Sequence, residues 1–441
     1  MRLVPLLFVA ALASAGTPPR PATWTGTFTL SAATSPVPLV VRVQGRTATV
    51  ALGPGHAGPA AVRLDAGRFA LRGLPDDVVF AGKLVGTRWS GVVSQGHSRG
   101  TFTLHPGTAP AVSALGLYRS AGGSFVAVAH ARGLPEWLVE LPSGATHGLG
   151  ASLSTVGPLL GETSGDGTLG LDSGGLVWKS VRYRRVRLRQ WEVRVGGVGG
   201  TLTVPPGPGP FPAVAMVHGS ETSGREEFQV FAAYLESLGV AVLAADKRHD
   251  GEPLQALAAD AAAQVDFLAS NRLVDARRVG LLGDSQAGWT IALAAAADPR
   301  VRWAVPLVGP VTTVAETDLF TSLAGAEQTA PQATRAEMLR TVRAAGRGGF
   351  DPVPSLRKLR IPVLWVFGDD DRNVPTELCV ERLRTLAPGH AFEWRVLPMT
   401  HALLDLPNGL YSSLARSRGF AAQLFPTVGA WLRARGILRR G

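Results

Sequence analysis

Apolar and polar positions follow two different rhythms along this chain. From Trp24 to about Leu104, short runs at 25–30, 39–43, 47–51, 68–71, 78–81, 89–93 and 100–104 are separated by Gly, Pro, Asp and Ser, and no helical period competes with them. Short strands at this spacing predict a small antiparallel barrel or sandwich. The pattern stays strand-like from 106 to about 180, with runs at 117–118, 124–129 and 137–141, and predicts a second small β unit. The Gly-rich stretch 161–175 reads as linker or turn, because no Lys-Ser or Lys-Thr follows it into a helix as a phosphate loop requires.

After Gln190 the rhythm changes. Continuous apolar runs at 213–217, 240–244, 279–282, 304–308 and 363–367 alternate with helix-length stretches at 226–238 and 254–270. Strands apolar on both faces and separated by helices predict a mostly parallel, doubly wound α/β sheet, with its chemistry at the carboxyl ends of the strands. The expected division is therefore a signal segment at 1–15, a β-barrel at 22–106, a small β unit and linker at 107–188, and an α/β domain at 189–441. The stretch 312–350, which carries Glu316, Asp318, Glu327, Arg335, Glu337, Arg340 and Arg343 in an amphipathic pattern, reads as a helical cap insertion in that last domain.

Composition adds to this picture. With 46% hydrophobic and 17% charged residues the chain belongs among globular proteins. The start, Met1-Arg2, an apolar run over 3–12 and then Ala13-Ser14-Ala15, has the layout of an export signal and is too short to span a bilayer. A secreted or periplasmic protein is expected. The single cysteine, Cys379, excludes an intrachain disulfide and a thiolate metal cluster. The net charge of +11 comes mostly from arginine, since Lys83, Lys179, Lys247 and Lys358 are the only lysines. Its densest run alternates with Val and Leu, so Arg185, Arg187 and Arg189 are expected on one solvated strand face. No nucleic-acid module accompanies them, and no nucleic-acid partner is expected.

The chemistry lies in the α/β part. The strand at 279–282 enters Gly283-Asp284-Ser285-Gln286-Ala287-Gly288 and then a helix-forming run, a strand-turn-helix context in which a serine hydroxyl stands exposed above a sheet. A serine needs a base to take its proton, and the base needs an acid to hold its tautomer. Two later strands supply both. The one at 363–367 runs into Asp369, Asp370 and Asp371, and the one at 392–397 runs into His401. His390 precedes its strand, whereas His401 follows it and faces the carboxyl end of the sheet, so His401 is the better base. The chain order is Ser, Asp, His.

The run Val217-His218-Gly219-Ser220, then Asp246-Lys247-Arg248, then Gly283-Asp284-Ser285-Gln286-Ala287-Gly288-Trp289 resembles the α/β-hydrolase superfamily, near secreted bacterial carboxylesterases and serine aminopeptidase-like hydrolases. The resemblance covers about 190–438. Ala287 departs from the usual G-x-S-x-G. Trp24-Thr25-Gly26-Thr27, Phe80-Ala81-Gly82 and Trp89-Ser90-Gly91 resemble a lipocalin-like β domain found ahead of such enzymes. The family resemblance implies a triad of Ser285, Asp371 and His401, with Asp371 fitting its G-x-x-D-x-x-V-P pattern. It further implies an oxyanion hole from the backbone of Gln286 and of Ser220, with Glu221 as the alternative to Ser220, and a loop-bracing role for His218.

The expected function is hydrolysis of a small-molecule carboxylic ester through an acyl-enzyme, with no cofactor and no metal. An aminopeptidase or amide hydrolase would use the same triad, and an acidic group binding a substrate α-amine would distinguish it. A binding protein with a degenerate hydrolase domain is the alternative outside enzymology.

Overall fold

The computed structural model describes residues 22–438 apart from 31–36, 45–46, 53–55, 66–67, 73–77, 86–87, 96–97, 108–114, 130–136, 150–154, 158–166, 173–174, 221–223, 249–250 and 411–416. The export-signal segment 1–15, Glu221, and His249 and Asp250 after the Asp-Lys-Arg run lie outside the described residues. Among the described residues no helix is long and apolar enough to cross a membrane.

Eight strands, from Ala22–Leu30 to Ser98–Gly107, pair antiparallel in sequence order and close on themselves. Alternation sends one side of each strand inward, and Phe28, Leu39, Val41, Val50, Phe80, Phe102 and Leu104 are buried there. One strand, His56–Asp65, escaped the sequence pattern because Gly58 and Pro59 read as a break. It pairs with Thr47–Leu52 and Arg68–Arg72 and is needed for closure.

A nine-stranded antiparallel sheet follows, and it absorbs part of the stretch expected to be linker, through the short strands Gly167–Thr168 and Gly170–Asp172. The arginine run is also split. Arg185 ends the strand Val181–Arg185 of this sheet, Arg189 begins Arg189–Val195 of the next one, and Arg187 lies between them. The expected common strand face for Arg185, Arg187 and Arg189 does not form, because the chain changes sheets at 186–188.

The last sheet has eight strands, labelled within this domain β1 (Arg189–Val195), β2 (Val198–Val204), β3 (Phe211–Val217), β4 (Ala241–Ala245), β5 (Val274–Asp284), β6 (Trp303–Leu307), β7 (Val363–Gly368) and β8 (Phe392–Leu397). Their spatial order is β1-β2-β4-β3-β5-β6-β7-β8. β1 and β2 are antiparallel, β2 runs antiparallel to β4, and every pairing from β4 to β8 is parallel. β3, β6 and β7 are buried along their whole length, as the two-faced apolar runs predict.

Helices α1 (Gln229–Ser237), α2 (Leu254–Ala269), α3 (Ala287–Ala297), α4 (Val314–Ala324), α5 (Arg335–Ala345), α6 (Val353–Leu356), α7 (Thr376–Leu386) and α8 (Leu424–Ala434) complete the domain. The two faces of the sheet carry separate apolar clusters. One contains α1 and α8, the other α2, α3 and α7. α4 and α5 lie in the stretch expected to be a cap insertion. Each begins in a capping box, Thr313 with Glu316 and Thr334 with Glu337, which satisfies amide groups that a helix start leaves open.

Candidate active site

β5 ends at Asp284, and the chain reverses into α3 through Ser285, whose φ of 54° lies in the left-handed region that side chains disfavour. The turn is held by its backbone: the Ser285 amide donates to Leu307 O at 3.0 Å, and the Gly288 amide to Ser285 O at 2.9 Å. Glycine at 283 is required by close packing, because a Cβ there would stand 2.0 Å from Val217 O. At 288 it would stand 2.7 Å from the backbone of Gly309. Ala287 fits fully buried.

The structure brings the other two predicted side chains to this serine. His401 Nε2 lies 2.9 Å from Ser285 Oγ, and Nδ1 lies 3.0 Å and 3.1 Å from the two carboxylate oxygens of Asp371. An ionised carboxylate only accepts, so Nδ1 carries the proton and Nε2 turns its lone pair to the hydroxyl. Asp371 is fully buried, and its Oδ1 also accepts from the amides of Asn373 at 2.8 Å and Val374 at 2.7 Å. These two bonds fix the carboxylate's orientation toward the imidazole.

The neighbouring acids are occupied elsewhere. Asp369 accepts from the Met399 amide and Asp370 pairs with Arg372. His390 lies at the opposite end of β8; its Nδ1–H donates to Leu359 O at 2.9 Å and its ring stacks on Phe392. Cys379 is buried, with the thiol pushed up to about 11 by desolvation, and is no nucleophile at neutral pH.

The β3–β5 register sets Val217 opposite Gly283, so the segments leaving these strands, with Ser220 on one and Gln286 on the other, emerge side by side at the carboxyl edge. Ser220 is exposed, and Gln286 caps the start of α3, where amides lack intrahelical partners. The loop after β3 is braced. His218 Nε2 donates to Ala245 O at 2.7 Å, and Lys247 Nζ donates to Gly219 O at 2.8 Å. Asp246 in turn accepts from Arg225 Nε at 3.1 Å, and Arg248 pairs with Asp260.

Residues 231–405, under half of the chain, match the prolyl oligopeptidase family. No curated protein matches the chain. Among solved structures, the 2,6-dihydroxy-pseudo-oxynicotine hydrolase is similar at 21% identity over 57% of this chain and 68% of its own, with a TM-score of 0.42. An esterase from Pyrobaculum calidifontis is similar at 21% identity over 57% of this chain and 86% of its own, with a TM-score of 0.41. An esterase from Pyrococcus furiosus is similar at 16% identity over 56% and 90%, with a TM-score of 0.40. The matched stretch begins within α1, ends in the loop after β8, and contains Ser285, Asp371 and His401.

The C-terminal domain has the α/β-hydrolase fold.

Two features of this domain were not read from the sequence. An apolar cavity lined by Trp137, Met216, Phe228, Phe231, Leu404 and Phe420 reaches Asp284, next to Ser285, and Ala402, next to His401. Trp137 comes from the nine-stranded sheet, a contribution no local pattern announces. The second is Glu327. Read as one charge of an amphipathic helix, it stands instead in the turn between α4 and α5, fully buried, and accepts a hydrogen bond from the His401 backbone amide. A charge in a helix-helix turn ordinarily faces water, so no signal in the sequence singled it out.

Proposed function

We propose that the protein is a secreted serine esterase. The observation that carries this reading is His401, bonded through Nδ1 to Asp371 and 2.9 Å through Nε2 from Ser285 Oγ. His401 takes the Ser285 proton as Oγ attacks the ester carbonyl. The oxyanion is held by the amides of Gln286 and Ser220. The tetrahedral species collapses as His401 returns the proton to the leaving alcohol. Water, deprotonated by the same imidazole, then attacks the acyl-enzyme and releases the acid and free Ser285. The apolar cavity beside the nucleophile turn favours an uncharged acyl group, and the export-like N-terminus supports action outside the cytoplasm.

The family match favours a second reading, in which the same triad cleaves an aminoacyl or peptide bond. Hydrolysis of p-nitrophenyl esters from acetyl to long acyl, run beside aminoacyl p-nitroanilides and the Ser285→Ala variant, separates the two. Ester turnover that falls by ~10⁴-fold in the variant is expected. Turnover of anilides alone would make the protein a peptidase, and activity surviving in Ser285→Ala would end the triad reading.

A further inference from the structure

We propose that Glu327 is the positioning residue of the catalytic base, a carboxylate delivered by the cap to hold the His401 backbone in place. The proposal rests on the triad reading above. Three consecutive residues, Gly325, Ala326 and Glu327, have φ of 78°, 49° and 62°. The glycine takes this conformation freely as the C-cap of α4, but left-handed backbone is unfavourable at the next two residues, which carry a Cβ. Strain of this kind persists where the surroundings enforce it, and it clusters at functional sites. Here it turns the Glu327 side chain inward, to full burial against the loop that follows β8. Burying a carboxylate is costly unless hydrogen bonds replace its water. The His401 amide supplies one of them.

The rest of the cap is fixed to the acid side of the triad. Thr321 Oγ1 donates to Asn373 O at 2.7 Å, two residues past Asp371. Arg335 Nη1 donates to Asp371 O at 2.8 Å while its Nε and Nη2 hold Glu377 at 2.5 and 2.9 Å. α4, the turn and α5 thus reach the loops of both Asp371 and His401, and the cap acts as a brace on the triad. Ser285 Oγ and His401 Nε2 meet at hydrogen-bond distance only while the His401 loop keeps its height above β8. A displacement of about 1 Å can lower a rate ~10²-fold.

The test compares Glu327→Gln, Glu327→Ala and Glu327→Met with the wild type. It uses kcat and KM on an ester that Ser285→Ala does not turn over, and the rate at which a fluorophosphonate labels Ser285. The labelling rate reports His401-assisted attack without reference to any natural substrate. Glutamine keeps an acceptor oxygen and should retain at least about a third of kcat and of the labelling rate. Alanine and methionine should lose ~10²-fold in both, with KM within about threefold. An alanine variant that is folded and as fast as wild type overturns the proposal, as does a rise in KM at constant kcat, which would make Glu327 a substrate contact. If the alanine and methionine variants do not fold, hydrogen exchange of the His401 amide in the wild type decides. Slow exchange, comparable to β8, supports the bond, and exchange at the rate of an open loop refutes it. A wild type that neither turns over esters nor takes the label refutes the triad reading itself, a different result from any above.

Discussion

A Cβ placed on Gly283 would stand 2.7 Å from the Cβ of Ala287 and 2.0 Å from the carbonyl oxygen of Val217. The two positions share one space across the nucleophile turn. With nothing at 283, the methyl at 287 is accommodated, and the departure from the usual G-x-S-x-G costs the turn little. Gly283→Ala should therefore lower fluorophosphonate labelling of Ser285 by ~10²-fold or more and destabilise the domain by about 1–3 kcal/mol. Ala287→Gly should label near the wild-type rate. The double substitution should stay inactive, because the Val217 carbonyl is backbone and cannot move aside; recovery in the double variant would show that the side-chain contact alone decides.

Three aspartates in a row offer the acid, and their surroundings differ. Asp371 is fully buried and meets both Nδ1 of His401 and two backbone amides, whereas Asp370 pairs with Arg372 and Asp369 accepts from Met399. Asp371→Asn, which presents an amide where Nδ1–H needs an acceptor, should lower kcat by ~10⁴-fold. Asp369→Asn and Asp370→Asn should each stay within about tenfold of wild type. Steady-state kinetics on one ester ranks the three, and an equal loss at Asp370 would contradict the assignment.

Glu236, on α1, is buried against Thr203, and desolvation pushes its carboxyl up to about 8 from 4.5. The folded pKa is raised, so the protonated side chain contributes no penalty below about pH 4.5. Above that the unfolded chain ionises first, and stability is lost as pH rises from 4.5 through about 8. Glu236→Gln should raise stability at pH 8 by on the order of 2–4 kcal/mol and leave it unchanged near pH 4. Urea unfolding at the two pH values measures this, and an equal effect at both would rule out ionisation as its source.

The sheet was legible because β3, β6 and β7 are buried on both faces and read as unbroken apolar runs, and Ser285, Asp371 and His401 were legible because each follows a strand of that sheet. The register that sets Val217 beside Gly283 is the same fact seen from the backbone. Three things were not legible. Pro59 hid a barrel strand, since a proline is rarely accepted inside a sheet. The arginines at 185, 187 and 189 share a strand period, but the chain leaves one sheet for another between them. Trp137 and Glu327 act through partners far away in sequence, at the cavity and at His401, and periodicity carries no information about such partners.

Leu117, Ala127, Trp137 and Val139 of the nine-stranded sheet lie in the same buried cluster as Tyr234 of α1 and Phe425 of α8. One face of the nine-stranded sheet and one face of the α/β domain thus share a buried cluster, while the barrel encloses its own. Removing the nine-stranded sheet would lay bare Tyr234 and Phe425 on the flank of the α/β domain, whereas removing the barrel would uncover no residue of their cluster.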